Sequence, residues 1–311
     1  METRKLGSLD VSLVGLGCNN FGGRMDEAAT NAVVDAAIDA GITLFDTADV
    51  YGGGGKSEEL LGRALGARRD QVLVATKFGM PMGEGKAGGA PAYVVEACDA
   101  SLKRLGTDRI DLYQIHAPDQ NVPIEDTLGA LNDLVVAGKV REIGCSNFTP
   151  EQLDEAAKAS EAAGIARFVS VQNELSLLRG RDADALSDAA TRHDTGILPY
   201  FPLASGMLTG KYRRGEAPPE GTRLASMPEE RRERALSDRA FDRVERLEAF
   251  ATSNGHTLLE LAMSWLAGLP AMASVIAGAT KRDQVRSNAQ SVGWQLTADE
   301  RAEVAALIRP T

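Results

Sequence analysis

Short apolar runs alternate with longer amphipathic segments along almost the whole chain. The runs are rich in Val, Ile and Leu, as buried parallel strands are, and the segments between them have apolar residues at helical spacing. They predict strands at 13–16, 43–46, 72–77, 111–115, 142–145, 168–172, 196–200 and 273–276. Helices are predicted at 27–40, 57–66, 91–105, 125–138, 150–163, 182–194 and 257–268. This alternation indicates an α/β fold with a parallel sheet.

Eight strand–helix units have two common solutions, a closed barrel and an open doubly wound sheet. We favour the (β/α)8 TIM barrel, because eight units complete it and no linker divides the 311 residues. A single barrel domain is therefore expected over residues 1–311. The polar stretch 211–236 predicts a long loop after the seventh strand, before a helix at 237–252. Both a functional loop and a disordered one are open at this point.

Several helix ends carry recognisable boundary residues. Thr149 followed by Pro150 predicts a helix start, with threonine at the N-cap and proline at the first helical position. Glycine is expected just after helix ends, where a left-handed backbone is needed. The glycines placed in this way are Gly41, Gly66, Gly106 and Gly138.

Composition excludes several classes of function. The formal net charge of −10 argues against nucleic acid as a partner, because phosphate binding needs a basic surface. No apolar run is long enough to span a membrane or to act as a secretory segment. Three widely spaced cysteines and three histidines favour neither a disulfide framework nor a metal site. We therefore expect a reduced, cytoplasmic protein without a bound metal.

One glycine motif suggests a dinucleotide fold but lies in the wrong place. Gly83, Gly85 and Gly88 match the spacing G-x-G-x-x-G. In that fold the first glycine directly follows a strand and the helix begins within the motif. Here residues 78–82 intervene, and the predicted helix begins only at Pro91. A glycine-rich loop is the better interpretation.

Reactive side chains lie at the ends of three successive predicted strands. Asp46 ends the second strand, Lys77 the third and His116 the fourth, and Tyr51 follows Asp46 in a glycine-rich loop. In a barrel these ends meet at one mouth, where catalytic groups are found. An ammonium group beside a phenol lowers the pKa of the phenol, and a carboxylate keeps that ammonium charged. A neighbouring histidine can orient a carbonyl oxygen.

Each of these residues has a structural alternative. Lys77 and Asp46 could form an ordinary ion pair, Tyr51 could cover a loop, and His116 could be a hydrogen-bonded polar group. Four such residues at neighbouring strand ends are a stronger signal than any one of them.

With these residues the chain resembles the aldo-keto reductase family. The similar segments, in order, are GLG at 15–17, DTADVYGGG at 46–54, SEELLG at 57–62, ATK at 75–77, IH at 115–116, GCSN at 144–147, QNE at 172–174, YFPLASGMLTGK at 200–211 and IAGATKRDQVRSN at 276–288. The resemblance implies a barrel with an N-terminal hairpin at its bottom. It also implies reduction of an aldehyde or ketone to an alcohol by hydride transfer from NADPH.

The resemblance also assigns roles to individual residues. Tyr51 would be the general acid, Lys77 and Asp46 would tune it, and His116 would orient the carbonyl. Ser146, Asn147 and Gln172 would hold the nicotinamide amide, and Tyr200 would stack on the ring. The full predicted cofactor set is Gly17, Cys18, Ser146, Asn147, Gln172, Tyr200, Phe201, Pro202, Leu203, Ser205, Gly206, Leu208, Lys211, Ile276, Gly278, Ala279, Thr280, Lys281, Gln284 and Asn288.

Two members of this set depart from the family pattern. Phe201 replaces a small polar residue, and Gln284 replaces an arginine found in some branches. Lys281 and Arg282 supply positive charge suited to the 2′-phosphate of NADPH.

Loops 18–25, 79–90 and 211–236 are expected to form the walls of the substrate pocket, with Asn19, Asn20, Phe21 and Met25 lining it.

Two other functions compete with carbonyl reduction. The first is a cofactor-binding regulatory subunit, like the channel β-subunits that resemble this family, and the presence of Asp46, Tyr51, Lys77 and His116 does not exclude it. A metal-dependent hydrolase needs more ligands at the strand ends than Asp46 and His116. The expected partner is a small carbonyl substrate, and the oligomeric state cannot be predicted.

Overall fold

Eight parallel strands form the centre of the molecule in a computed structural model that describes residues 1–180 and 183–308. An antiparallel hairpin, β1 (Thr3–Leu6) and β2 (Leu9–Ser12), precedes them. The parallel strands are β3 (Val14–Gly17), β4 (Leu44–Asp46), β5 (Leu73–Phe78), β6 (Ile110–Ile115), β7 (Val140–Ser146), β8 (Phe168–Gln172), β9 (Gly196–Ile197) and β10 (Val275–Gly278). Each pairs with its neighbour in the order β10-β3-β4-β5-β6-β7-β8-β9.

The two ends of this sheet meet and close the barrel. The Ile197 N–H donates to the Ala271 carbonyl at 2.8 Å, and the Ala273 N–H donates to the Ile197 carbonyl at 3.0 Å. The predicted TIM barrel is confirmed. β9 is shorter than the predicted 196–200, because Pro199 has no N–H to extend the ladder.

Helices surround the barrel and connect its strands. In the described residues they are α1 (Glu27–Asp39), the single turn α2 (Tyr51–Gly54), α3 (Lys56–Leu65), α4 (Pro91–Leu105), α5 (Ile124–Val136), α6 (Pro150–Ala163), α7 (Ala183–Arg192), α8 (Glu229–Ala235), α9 (Asp238–Ser253), α10 (Leu258–Ala267), α11 (Arg282–Gln290) and α12 (Ala298–Ile308). Short 3-10 helices cover Gly66–Gln71 and Ala204–Thr209. The predicted helix 182–194 starts at a residue outside the described part, and the predicted domain limits 1–311 also include such residues.

The predicted helix ends agree with the structure. Thr149 caps α6 in a reciprocal pair with Gln152, and Pro150 is the first helical residue. Gly106 ends α4 with a φ of 64°, in the left-handed region that glycine tolerates best. These local signals place the helix boundaries close to where the sequence predicts them.

The N-terminal hairpin closes the bottom of the barrel, as predicted. Leu6, Leu9 and Val11 are buried in one apolar cluster with residues of the barrel strands, among them Leu44 and Leu112. The hairpin therefore fills the end of the barrel opposite the C-terminal ends of the strands. A larger apolar layer packs between the outside of the barrel and its helices.

The stretch after β9 has defined structure and folds over the barrel mouth. It contains α8 and a series of turns, so of the functional and the disordered loop left open for 211–236 the disordered one is not observed. Cys18, Cys98 and Cys145 are free thiols and are buried. Within the described residues, no helix combines the length and the apolar character needed to cross a membrane.

Candidate active site

Three neighbouring strands bring the predicted catalytic residues together at the barrel mouth. Asp46 ends β4, Lys77 is the penultimate residue of β5, and His116 directly follows β6. Tyr51 begins the turn α2, in which Gly52 and Gly53 have φ values of 72° and 82°. Positive φ at both glycines lets the chain turn sharply directly after Tyr51.

Lys77 and Asp46 form a buried ion pair. The Lys77 Nζ lies 2.8 Å from Asp46 Oδ2, and it also donates to the Thr47 carbonyl at 2.8 Å. Burial by itself lowers the pKa of Lys77, but Asp46 and Tyr51 outweigh burial and hold the pKa above its usual value. Lys77 is therefore a charged ammonium group, as the sequence predicts for a lysine that faces a carboxylate.

Tyr51 lies next to this pair. Lys77 Nζ is 5.1 Å from the centre of the Tyr51 ring. Burial raises the pKa of the Tyr51 hydroxyl above its ordinary value, and the charge of Lys77 offsets only part of this rise. Lys77 lowers the pKa of the phenol, as predicted, but removal of water destabilises the phenolate more than the ammonium stabilises it, so the net shift is upward. Tyr51 is thus a protonated phenol at neutral pH.

His116 packs against Tyr51 as an uncharged ring. The two rings meet edge to face, with centres 5.7 Å apart. Burial, assisted by the charge of Lys77, lowers the pKa of His116 to about 3. The imidazole is therefore neutral at physiological pH and can donate one hydrogen bond. Its Nδ1 is buried and has no partner among the described residues.

A cavity of about 1010 Å³ opens above these side chains and continues towards β10. Tyr51, His116 and Asp46 line one end of it, whereas Lys77 lies buried beneath. The predicted cofactor residues that line it are Gly17, Ser146, Asn147, Gln172, Tyr200, Phe201, Pro202, Leu203, Ser205, Gly206, Lys211, Ile276, Gly278, Ala279, Thr280, Lys281, Gln284 and Asn288. One continuous groove therefore joins Asp46, Tyr51 and His116 to the loop after β10.

Some predicted lining residues lie behind the wall of the cavity. Cys18 and Leu208 are fully buried, and their side chains do not reach the cavity. Their side chains pack in the apolar core, so direct contact between them and a ligand is not supported. Asn19 and Asn20 line the cavity, whereas Phe21 and Met25 are buried in the core behind it.

A network of amide groups connects the middle of the cavity to the mouth residues. Asn147 Oδ1 accepts from the Tyr200 hydroxyl at 2.7 Å, and its Nδ2 donates to the His116 carbonyl at 2.9 Å. Ser146 Oγ donates to the Gln172 carbonyl at 2.7 Å. The Gln172 amide donates at 2.9 Å to the carboxylate that ends β4. These bonds fix the four side chains relative to the ion pair.

Two arginines line the cavity that the sequence analysis did not select. Arg24 donates to the Gly221 carbonyl at 2.7 Å and so ties the loop after β3 to the stretch after β9. The Arg223 guanidinium lies over the Phe201 ring at 4.7 Å. Among the described residues, neither these arginines nor Lys211 has a carboxylate within 4.0 Å. The polar composition of the loop 211–236 was the sequence signal that could have indicated Arg223, but the contacts of this loop depend on the fold.

The loop after β10 presents backbone groups and one lysine to the cavity. Gly278 lies close to Asn20, and a side chain at this position would narrow the cavity. Gln284 Oε1 accepts from the Thr280 N–H at 2.8 Å, so Gln284 ties down the loop itself. Lys281 lines the cavity at the start of α11, whereas Arg282 is not part of the lining.

A family model named Aldo/keto reductase family matches residues 13–309. The chain belongs to the aldo/keto reductase family. The predicted family resemblance is therefore confirmed, and the coarse activity that goes with it is that of an oxidoreductase.

The proteins similar to this chain are named both as enzymes and as a channel subunit. A probable voltage-gated potassium channel subunit beta of Arabidopsis thaliana is 33% identical, covering 94% of this chain and 91% of its own. An aldo-keto reductase of Schizosaccharomyces pombe, whose name includes NADP(+), is 35% identical over 86% of this chain and 79% of its own. The family thus covers both enzymes and a channel subunit at similar identity.

A solved structure has the same fold. The holo form of an aldo-keto reductase from Bacillus halodurans superposes with a TM-score of 0.82 at 30% identity, covering 100% of this chain and 97% of its own. The barrel therefore has the architecture of this family member.

Proposed function

We propose that this protein reduces an aldehyde or ketone to an alcohol with NADPH, and that Tyr51 is the general acid. The observation that carries the proposal is the position of the Tyr51 phenol, packed against both Lys77 and His116 at the barrel mouth. Tyr51 and His116 line one end of a groove of about 1010 Å³ that continues to the loop after β10. The family membership and the NADP(+) in the name of the yeast relative support the same cofactor.

The groove has features that fit a dinucleotide. Arg24, Lys211 and Arg223 line its middle and lack carboxylate partners in the described structure, which suits a pyrophosphate. Burial and the nearby Arg24 lower the pKa of Lys211, as expected where a counter-charge is missing. Asn19 lines the groove, and its Oδ1 is buried without a partner among the described residues. Tyr200 offers an aromatic ring at the end near Tyr51.

NADPH, when bound, supplies the hydride that reduces the carbonyl carbon. The neutral His116 donates a hydrogen bond to the carbonyl oxygen and sets its direction. Tyr51 donates its proton to the same oxygen as negative charge develops there. Lys77 stabilises the resulting phenolate through its charge, and Asp46 keeps Lys77 protonated in a site that water does not reach.

A regulatory subunit that binds the same cofactor is the second candidate. The Arabidopsis thaliana relative is named as a channel subunit, and such a protein could keep the same groove. The two functions differ in turnover, since a purely regulatory subunit needs no proton donor at the mouth. The reduced cytoplasm as location and a small carbonyl compound as substrate remain part of our proposal.

Steady-state oxidation of NADPH with a panel of aldehydes, ketones and quinones tests the proposal. Tyr51→Phe should lower kcat by about 10²–10⁴-fold while the Kd of NADPH is kept. Tyr93→Phe removes a hydroxyl from α4, outside the cavity lining, and should leave kcat unchanged. Tight NADPH binding without turnover of any carbonyl would favour the regulatory subunit. A Tyr51→Phe variant as active as the parent would exclude Tyr51 as the acid, provided that chemistry limits turnover.

A further inference from the structure

A second cavity lies beside the active-site cavity. It measures about 1260 Å³ and is enclosed by the segment after β8, the loop around Ala204, helices α8 and α9, and the end of α12. Phe201 and Ser205 line both cavities, so a single layer of chain separates them. The volume is sufficient for a small organic ligand.

Arginine dominates the polar lining of this second cavity. The lining residues include five arginines and only two carboxylates, namely Arg179, Arg231, Arg234, Arg239, Arg243, Glu174 and Asp184. Arg179 lies 3.9 Å from Glu174, and Arg234 pairs with Glu230 at 3.0 Å. In the part of the chain that the structure describes, the other three arginines have no carboxylate within 4.0 Å. Three guanidinium groups therefore face one cavity without a counter-charge.

Arg243 shows that this positive charge is built into the structure. Its two terminal nitrogens donate to the carbonyls of Leu178 and Leu177 at 3.2 and 3.1 Å, which anchors the guanidinium. Its Nε is buried and has no partner among the described residues. Burial lowers the pKa of Arg243, and the charges of Arg239, Arg246 and Arg179 lower it further. The anchored group thus lies in a positive field.

The surroundings of the cavity add to this field. Helix α9 has sixteen residues, and its first turn lines the cavity, with no side chain capping its N–H groups. The positive end of the helix dipole therefore points to the same region as the arginines. The whole chain has a net charge of −10, so the local excess of cations does not reflect the composition.

We propose that this cavity is a second ligand site, which binds a small molecule with a phosphate group on an apolar body. Guanidinium groups match a phosphate in geometry and in charge, and three of them here have no carboxylate partner among the described residues. Leu178, Met207, Met227 and Ile308 provide an apolar wall next to the arginines. The site lies outside the groove proposed for NADPH, so it can be filled in the cofactor-bound enzyme.

Pyrophosphate binding to the NADP+-saturated protein tests this proposal. Saturation blocks the phosphate subsites of the groove, and titration calorimetry at constant ionic strength then reports the second site. We expect one equivalent of pyrophosphate per chain. The double variant Arg231→Gln with Arg239→Gln should weaken the binding at least about tenfold, because each charge-assisted contact to phosphate is lost.

A matched pair of arginines serves as the control. Arg63→Gln with Arg192→Gln removes the same charge from exposed ion pairs elsewhere on the barrel and should leave pyrophosphate binding unchanged. Arg231 and Arg239 are exposed and make no hydrogen bond or ion pair in the described structure, so their removal should not impair folding. Absence of binding to the NADP+-saturated parent, or an equal loss in both double variants, would overturn the proposal.

Discussion

Asp46 faces the fully buried Lys77 at 2.8 Å and is the main group that keeps this lysine charged. Lys77→Met should leave this carboxylate with the amides of Gln172 and Gln114 as its remaining side-chain donors. An unpaired buried charge costs about 3–5 kcal/mol, so we expect a lower free energy of unfolding together with loss of activity. Denaturant unfolding and steady-state rates measure the two effects.

The double variant Lys77→Met with Asp46→Asn separates the two roles of the ion pair. It removes both charges and should recover much of the lost stability, while activity stays lost because no ammonium supports the phenolate. If the double variant recovered activity as well, Lys77 would have only a structural role.

Asp49 is a buried carboxyl group outside the proposed mechanism. It is 1% exposed, and neither of its side-chain oxygens has a partner among the described residues. Burial, followed by the charge of Glu58, raises its pKa from 3.8 to about 7, against the opposing charge of Arg104. The pKa of Asp49 is higher in the folded than in the unfolded protein. Its contribution to the free energy of unfolding is therefore full below about pH 4 and is lost as the pH rises towards 7.

Asp49→Asn should therefore be more stable than the parent near neutral pH. The difference in free energy of unfolding between Asp49→Asn and the parent should grow by about 4 kcal/mol from about pH 4 to about pH 7 and then level off. This magnitude follows from the pKa shift at about 1.36 kcal/mol per pKa unit. Urea unfolding at a series of pH values measures it. The exposed Asp39→Asn on α1 is the control, and parallel curves for the parent and Asp49→Asn would contradict the prediction.

At the scale of single elements, the start of α11 gives two adjacent cationic residues different positions relative to the cavity. Lys281 lines the cavity, whereas Arg282 does not, although the sequence suggests both for the 2′-phosphate. Lys281→Ala should raise the Kd of NADPH about tenfold or more and change that of NADH little, since one charge-assisted contact is lost. Tryptophan fluorescence quenching on titration with each cofactor gives both constants.

Arg282→Ala removes the same charge one residue further and should leave both constants near those of the parent. Equal weakening of NADPH and NADH by Lys281→Ala would place this lysine on the pyrophosphate instead of the 2′-phosphate. A parent protein that prefers NADH would contradict the proposed cofactor.

At the scale of the whole molecule, the two ends of the barrel have separate tasks. Leu6 and Leu9 fill the bottom, and the proposed chemistry lies at the opposite mouth. Leu6→Ala should lower the free energy of unfolding by about 2–5 kcal/mol, because it opens a cavity in the barrel interior, and leave kcat unchanged. Lys5→Ala on the same strand removes only an exposed ion pair with Asp10 and is the matched control for calorimetric unfolding.

The order of strands and helices follows from the sequence because each element has its own local signal. Apolar runs, helical periodicity, the Thr149-Pro150 start and the glycines after helix ends all act over a few residues. The mouth residues Asp46, Lys77 and His116 were predictable for a related reason. Parallel strands align their ends, so position in the strand is enough to bring these side chains together.

Only the tertiary structure decided the features that depend on distant segments. The direction in which the pKa of Tyr51 shifts depends on how completely the surrounding chain excludes water, and no local sequence pattern predicts this. The contact between Arg24 and Gly221, and the burial of Cys18 and Leu208, depend on how loops far apart in sequence meet over the barrel. Short-range periodicity thus determines the order of the strands and helices, whereas the charge states and the walls of the site result from long-range packing and desolvation.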